Sequence, residues 1–335
     1  MIISRTPLRL SFFGGGTDYR EYYERQAGAV LGTTIDKYVY VGLNPFTQCD
    51  NYRYRVSYSK TEIVNRLDEI QHPSVRECMK FSSITDGMDI HIMGDLPAKT
   101  GLGSSSSFTV GFLNALYGFA RKKISSHQLA LDAIEVEQNW IKETVGSQDQ
   151  CHAAYGGLNV IKFTKMGIES RAVEIDEEKK NYLQECLMVF YTGQTRFATD
   201  IAAKKVTNIK TGGKDTYLLQ MYDMVFEAEK ILIEKEKETM LKKFGELLHE
   251  SWLMKKNLSD GIANDEINNA YERAMRAGAY GGKLAGAGGG GFLIFFVSPK
   301  NRAAVQSALH ELPLISVQFE AKGSSIIYTK QNNLG

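Results

Sequence analysis

Chemistry is concentrated in three stretches of the chain. The run Gly101-Leu102-Gly103-Ser104-Ser105-Ser106-Ser107 follows a strand-like segment and opens a helix. Glycines there let the backbone approach a phosphate, and the unpaired N–H groups and dipole of the helix start favour an anion. The serines add hydroxyl donors and one possible magnesium ligand. No lysine follows the second glycine, so this is not a GxxxxGK[ST] loop. The plainer alternative is a flexible linker ending in a serine cap. A second run, Gly286-Ala287-Gly288-Gly289-Gly290-Gly291, formally contains GxGxxG but leads into the strand-like Phe292–Val297 instead of a helix. A dinucleotide fingerprint is therefore rejected. These glycines mark either a hinge or a backbone packed against a ligand or another loop.

Two acids stand in unusual places. At about 100° per residue, Glu137 falls in the arc of Ala130, Ala133, Ile134, Trp140 and Ile141, so it is expected to point inward, whereas Glu135 takes the opposite face. A buried carboxylate needs a cation, a donor cluster or a metal, and a structural salt bridge is the plain alternative. Asp149 lies in the glycine-led turn Gly146-Ser147-Gln148-Asp149-Gln150. It is either a turn residue or, if the serine loop holds a nucleotide triphosphate, a group that orients and deprotonates an acceptor hydroxyl.

The elements that must position these groups alternate without a strict βαβ rhythm, which predicts two α+β domains, with residues 1–170 and 171–335 as segments and a cleft between them as the ligand site. Strands are expected over IISRTPLRLSFF, GAVLGTTIDKYVYVGLNPF, DIHIMGDLP, where the proline closes the strand, AAYGGLNVIKF, CLMVFYT, FLIFFV and SSIIYTK. Helices are expected near Ser59–Phe81, Phe108–Ala120, Leu129–Ile141, Tyr217–Ser259 and Asn264–Ala277.

Composition narrows the classes. With 335 residues, 43% hydrophobic and 24% charged, the chain is globular and long enough for two domains. Lys+Arg total 40 against Asp+Glu 39, which lacks the basic footprint of a nucleic-acid or membrane-surface binder. Cys49, Cys78, Cys151 and Cys186 are scattered, which implies reduced thiols and neither zinc nor a disulfide framework. Arg5 and Arg9 interrupt any N-terminal apolar run, so a cytoplasmic protein is expected.

Together the segments resemble the GHMP kinases, the superfamily of galactokinase, homoserine kinase, mevalonate kinase and phosphomevalonate kinase. Its three motifs are matched in order by Arg5 through Tyr19, by Gly94-Asp95-Leu96-Pro97 with Gly101–Ser107, and by Lys283 through Gly291. Gly14-Gly15-Gly16 stands where many members have Gly-Glu-His. With IDKY at 35–38, QHPSVREC at 71–78 and TGQTR at 192–196, this is most similar to the branch acting on D-glycero-D-manno-heptose 7-phosphate. The resemblance implies a left-handed βαβ unit in the N-terminal domain, a ferredoxin-like C-terminal domain, ATP and Mg2+ as cofactors, and phosphorylation of the anomeric hydroxyl of a small sugar phosphate to give the 1,7-bisphosphate. It further implies that Gly101, Leu102, Gly103, Ser104, Ser105, Ser106 and Ser107 cradle ATP, with Ser105 and Glu137 on magnesium. Asp149 would be the base and Arg9 its basic neighbour. Gly15, Gly16, Thr17, Asp18 and Gly157 would meet the sugar, Arg196 or Lys283 its remote phosphate, and Gly286, Ala287, Gly288, Gly289 and Gly290 would form the third loop. A fucose-type 1-kinase and a catalytically silent sugar and nucleotide sensor are the alternatives.

Overall fold

The protein is described from a computed structural model covering residues 1–46, 51–98, 100–193, 213–257, 261–286 and 288–330. Arg196, Ala287 and Cys49 lie outside the described residues. Among those described, the strands form two sheets.

The first sheet is built on β1 (Ile2–Phe13) and the long β2 (Gly28–Pro45), antiparallel along most of their length. β2 is long enough to serve several partners on its other side. Residues 28–33 pair with β6 (Leu158–Thr164), and 39–45 pair with β5 (Met88–Gly94). β3 (Tyr54–Ser57) runs parallel to β5, which requires a crossover, and the crossover carries helix α2 (Pro73–Ser82). β4 (Thr61–Val64) closes that edge, and β7 (Gly167–Ala172) forms a hairpin with β6. Two C-terminal strands return here: β12 (Phe319–Glu320) pairs with β2, and β13 (Ser325–Thr329) pairs with β1. The sheet thus includes residues from both expected segments.

The second sheet contains β8 (Leu187–Tyr191), β9 (Ala279–Leu284), β10 (Phe292–Val297) and β11 (Leu314–Ile315) in the order β11-β8-β10-β9. Counted along the chain this is 4-1-3-2, with helices between the first and second strands and between the third and fourth, the ferredoxin-like arrangement. The mixed α+β architecture and the ferredoxin-like C-terminal sheet are therefore present as expected.

One expected helix is corrected. Residues 61–64 form β4, and the helix starts only at Pro73, because proline is tolerated at a first helical turn and not inside one. Helix α3 (Ser104–Phe119) is buried along most of its length against β1 and β2, as its Phe108, Phe112 and Leu116 spacing predicts. Helix α4 (Ser126–Glu135) does not continue as an α-helix through Ile141. Residues 136–140 form a π turn in which the Ile141 N–H donates to the Val136 carbonyl. The wider turn changes the angular step, so Trp140 is 42% exposed while Glu137 stays inside at 1%. AAYGG is not strand either, since Ala153–Tyr155 end helix α5 (Gln148–Tyr155).

The remaining helices are α1 (Arg20–Tyr23), α6 (Glu177–Glu185), α7 (Asp215–Leu232), α8 (Lys237–Lys256), α9 (Asp265–Arg276) and α10 (Arg302–Ala308). Phe244 of α8 meets Phe12 and Phe13 of β1 edge-on, at 5.7 and 5.2 Å, and Phe296 of β10 at 5.1 Å. This aromatic cluster joins the two sheets where β1 ends. Cys78, Cys151 and Cys186 are free thiols in the interior. No helix among the described residues is long and apolar enough to cross a membrane.

Candidate active site

β1 carries the first functional side chain. Arg9 is 4% exposed, and each of its three guanidinium nitrogens donates a hydrogen bond. Nε and Nη2 donate to the two carboxylate oxygens of Asp149, each at 2.8 Å, and Nη1 donates to the Gly101 carbonyl at 2.6 Å. The planar fork explains why arginine suits this position, since a lysine cannot span both carboxylate oxygens. The Arg9 N–H also donates to the Leu102 carbonyl, and the Leu102 side chain is fully buried, so the glycine loop is pinned to β1 through backbone and core together.

Gly103 caps α3 with φ of 76° and offers no side-chain acceptor to the first turn. The donors there are therefore not consumed by a cap. A Cβ at Gly103 would lie 3.2 Å from Arg9 Cγ and 3.3 Å from Asp149 Oδ2, so the anion-binding helix start and the Arg9–Asp149 pair adjoin each other. Asp149 itself is in the first turn of α5, a helix where a turn was expected.

The four serines divide by role. Ser107 donates to the Pro7 carbonyl at 2.8 Å and anchors α3 to β1. Ser106 donates to Glu137 Oε2 at 2.8 Å. Ser105, expected beside Glu137, is exposed instead, because one helical step turns it away from the acid. Gln150 Nε2 also donates to Glu137 Oε2, which links this acid to the first turn of α5 beside Asp149. Burial pushes the Glu137 carboxyl up to about 7, while the Thr109, Ser106 and Gln150 side chains pull the other way. Its Oε1 has no hydrogen-bond partner. A fully buried acid with one spare oxygen and an adjacent hydroxyl fits a hard cation, whose arrival would favour the ionised form.

The glycine turn after β1 is held from behind. Asp18 is 1% exposed, accepting from the Gly16 N–H at 2.8 Å and from Gln148 Nε2 at 2.9 Å. It joins the turn to α5 instead of facing open space. Thr17 is likewise interior, donating within reach of the Gly14 and Ala29 carbonyls at 2.8 Å. Gly15 is the partly exposed member of the turn. Gly157 is engaged in backbone bonds with Thr34 and Glu320 at the start of β6. Lys283, on β9, is 3% exposed and donates to the Phe12 carbonyl at 2.8 Å, so it meets the end of β1 and not bulk solvent. Arg196 lies outside the described residues.

The third loop packs against the first. A Cβ at Gly286 would lie 2.4 Å from Gly101 Cα, and one at Gly291 would lie 2.1 Å from the Thr100 carbonyl oxygen. Lys255 of α8, which sequence reasoning missed, donates to the Leu284 and Gly286 carbonyls at 3.0 and 2.6 Å. His152 was missed as well. It sits one turn after Asp149, fully buried, and burial together with the nearby Arg9 charge depresses its ring to about 3. The unfolded histidine takes up a proton below about 6.5 while the folded one does not, so its contribution to stability is complete above that pH and is lost as pH falls towards about 3. We expect His152→Gln to flatten the acid limb of the stability curve by about 1.4 kcal/mol per pH unit between pH 6 and 4, read by urea denaturation at each pH.

A glycine loop on a helix start, with an arginine-fixed carboxylate beside it and a second buried acid, has the parts that a phosphotransferase acting on an alcohol group requires. Comparison with known proteins places the chain within that class. Residues 67–157 match the model "GHMP kinases N terminal domain" and residues 234–313 match "GHMP kinases C terminal". The chain belongs to the GHMP kinases, which use ATP as phosphoryl donor. It is 31% identical over 327 residues to a D-glycero-alpha-D-manno-heptose 7-phosphate kinase of Campylobacter jejuni, covering 92% of this chain and 93% of that one. It is 24% identical to a galactokinase of Pyrococcus furiosus over 96% of both. Among solved structures, a protein titled D-glycero-D-manno-heptose 1-phosphate kinase, from Bacteroides thetaiotaomicron, superposes with a TM-score of 0.78 at 20% identity, covering 99% of this chain and all of that one.

Proposed function

We propose that this protein transfers the γ-phosphoryl group of ATP to the anomeric hydroxyl of D-glycero-D-manno-heptose 7-phosphate, giving the 1,7-bisphosphate. The observation that carries the reading is the bidentate Arg9–Asp149 pair beside the uncapped start of α3. An anion held by the backbone donors of residues 101–106 would lie next to a carboxylate fixed in orientation. Asp149 accepts the proton of the acceptor hydroxyl as that oxygen bonds to the γ-phosphorus and the bond from the γ-phosphorus to the bridging oxygen of ADP breaks. Arg9 holds the carboxylate and offsets charge developing on the transferred group.

Glu137, with the Ser106 hydroxyl next to it, is the group we assign to Mg2+, in place of the Ser105–Glu137 combination. When bound, the cation neutralises phosphate charge. The 31% identity to a heptose 7-phosphate kinase over nearly the whole of both chains supports the choice of acceptor.

The test is ADP release with ATP and Mg2+ across heptose 7-phosphate, heptose, mannose, fucose, galactose, homoserine and mevalonate. Heptose 7-phosphate should give a kcat/KM at least tenfold above every other acceptor. Equal or faster turnover of free heptose or fucose would refute the 7-phosphate assignment, and binding of nucleotide and sugar without ADP release would refute the enzyme reading.

A further inference from the structure

Helix α8 sends a charged side chain into the third glycine loop that the transfer step does not use. Lys255 is 5% exposed, and its Nζ donates to the Leu284 carbonyl at 3.0 Å and to the Gly286 carbonyl at 2.6 Å. Taking an ammonium out of water is costly, and charge-assisted bonds to backbone oxygens offset that cost. The charge is thus tied to the loop.

The helix is fixed before the side chain leaves it. Phe244 of α8 belongs to the aromatic cluster between the two sheets, and the next residue, Gly245, meets β9 backbone to backbone, since a Cβ at Gly281 would collide with the Gly245 carbonyl oxygen. At about 1.5 Å per residue, Lys255 lies roughly 15 Å further along the same helix, where β9 ends at Leu284. A rod packed on the strand therefore delivers the ammonium to the strand's last residue and to the loop beyond it.

That loop needs anchoring. Glycine loses more freedom on ordering than any other residue, and five of residues 286–291 are glycine. The Gly289 N–H donates to the Ile262 carbonyl at 3.0 Å, and the Thr192 hydroxyl donates to the Gly291 carbonyl at 3.0 Å. Lys255 holds the other end, where Gly286 has φ of 75°. This end bears directly on the phosphate loop, because a Cβ at Gly286 would collide with Gly101 Cα, and the Gly101 carbonyl accepts from Arg9. A chain of contacts runs from α8 through Gly286 and Gly101 to the start of α3.

We propose that Lys255 is a positioning residue for the outer phosphates of ATP. Its ammonium holds the Gly286 peptide in the orientation that braces residues 101–103, and it adds a positive charge to the loop packed on the anion site. Lys255 acts through the loop, not by contact with the reacting atoms. This assignment deepens the kinase reading and rests on it.

The test compares Lys255→Met, which keeps a long stem and removes every N–H, with Lys256→Met, which removes a charge from the same end of α8. In Lys255→Met the ATP KM should rise about tenfold or more while the KM for heptose 7-phosphate stays within threefold. Calorimetric binding of ATP should weaken by the same factor, whereas AMP, which lacks the two outer phosphates, should change by less than twofold. Lys256→Met should leave the ATP KM within twofold. Urea denaturation beside each assay restricts the comparison to folded enzyme. If the methionine variant does not fold, Lys255→Gln, uncharged and one bond shorter but still a donor, should raise the ATP KM at least threefold. An ATP KM within twofold of wild type in the folded variant, or parallel losses for ATP, AMP and sugar, would overturn the assignment. Failure of both variants to fold would make Lys255 a residue of the fold alone and overturn it as well. A wild type that binds no ATP would refute the kinase reading and this assignment with it, whereas normal wild-type binding with unaffected Lys255 variants would refute this assignment only.

Discussion

Asp149→Asn should lower kcat by about 10²–10⁴-fold while both substrates still bind, the range expected when a positioned base is removed. Asparagine keeps the shape of the side chain but cannot take the acceptor's proton, and its NH2 would confront Arg9 Nη2, which now donates to Oδ2 at 2.8 Å. Arg9 would retain the Gly101 carbonyl and one amide oxygen, so its 4% exposure makes some loss of stability part of the same expectation. The check is ADP release at saturating ATP and sugar, beside calorimetric binding of each ligand below the unfolding transition. Near-normal turnover would remove Asp149 from the chemistry. Loss of both binding and turnover would make it a structural partner of Arg9 alone.

Gly286→Ala should be severely damaging although it adds a single methyl to the loop that packs on residues 100–101. Gly286 has φ of 75°, and its Cβ would lie 2.4 Å from Gly101 Cα, backbone against backbone, where no side chain can move aside. The same clash appears from the other side, because a Cβ at Gly101 would lie 2.6 Å from the Ala285 carbonyl oxygen. The left-handed backbone and the steric conflict together should cost roughly 3 kcal/mol of stability. Since Gly101 accepts from Arg9, displacement of the loop should also raise the ATP KM by about tenfold or more. Urea denaturation and initial rates against ATP concentration measure the two effects. Unchanged stability would mean the two loops are not in contact.

The legible parts of the site were those carried by local spacing. Helical periodicity placed Glu137 inside, and the strand following Gly286–Gly291 ruled out a dinucleotide site and suggested a loop packed against another loop. The hydroxyl that meets Glu137 is that of Ser106, one residue beyond the expected Ser105, because the pairing depends on where α3 begins, and a single helical step moves a side chain by about 100°. The π turn at 136–140 was invisible for a related reason, since the apolar pattern reads equally well as an unbroken helix up to Trp140. Asp18 is expected to meet the sugar, and only the fold brings Gln148 from 130 residues away to engage its carboxylate. The return of β12 and β13 to the first sheet is likewise a matter of long-range pairing that no local pattern encodes. Reading 148–155 as a helix would have set Gln148 and His152 on one face and exposed both residues as candidates.

A crystal structure of the Asp149→Asn variant with ATP, Mg2+ and heptose 7-phosphate tests the central claim most directly. The triphosphate should lie against the backbone N–H groups at the start of α3, with the anomeric oxygen of the sugar within hydrogen-bonding distance of the substituted side chain and close to the γ-phosphorus. A triphosphate bound elsewhere on the chain, or a sugar whose anomeric oxygen faces away from position 149, would contradict the account.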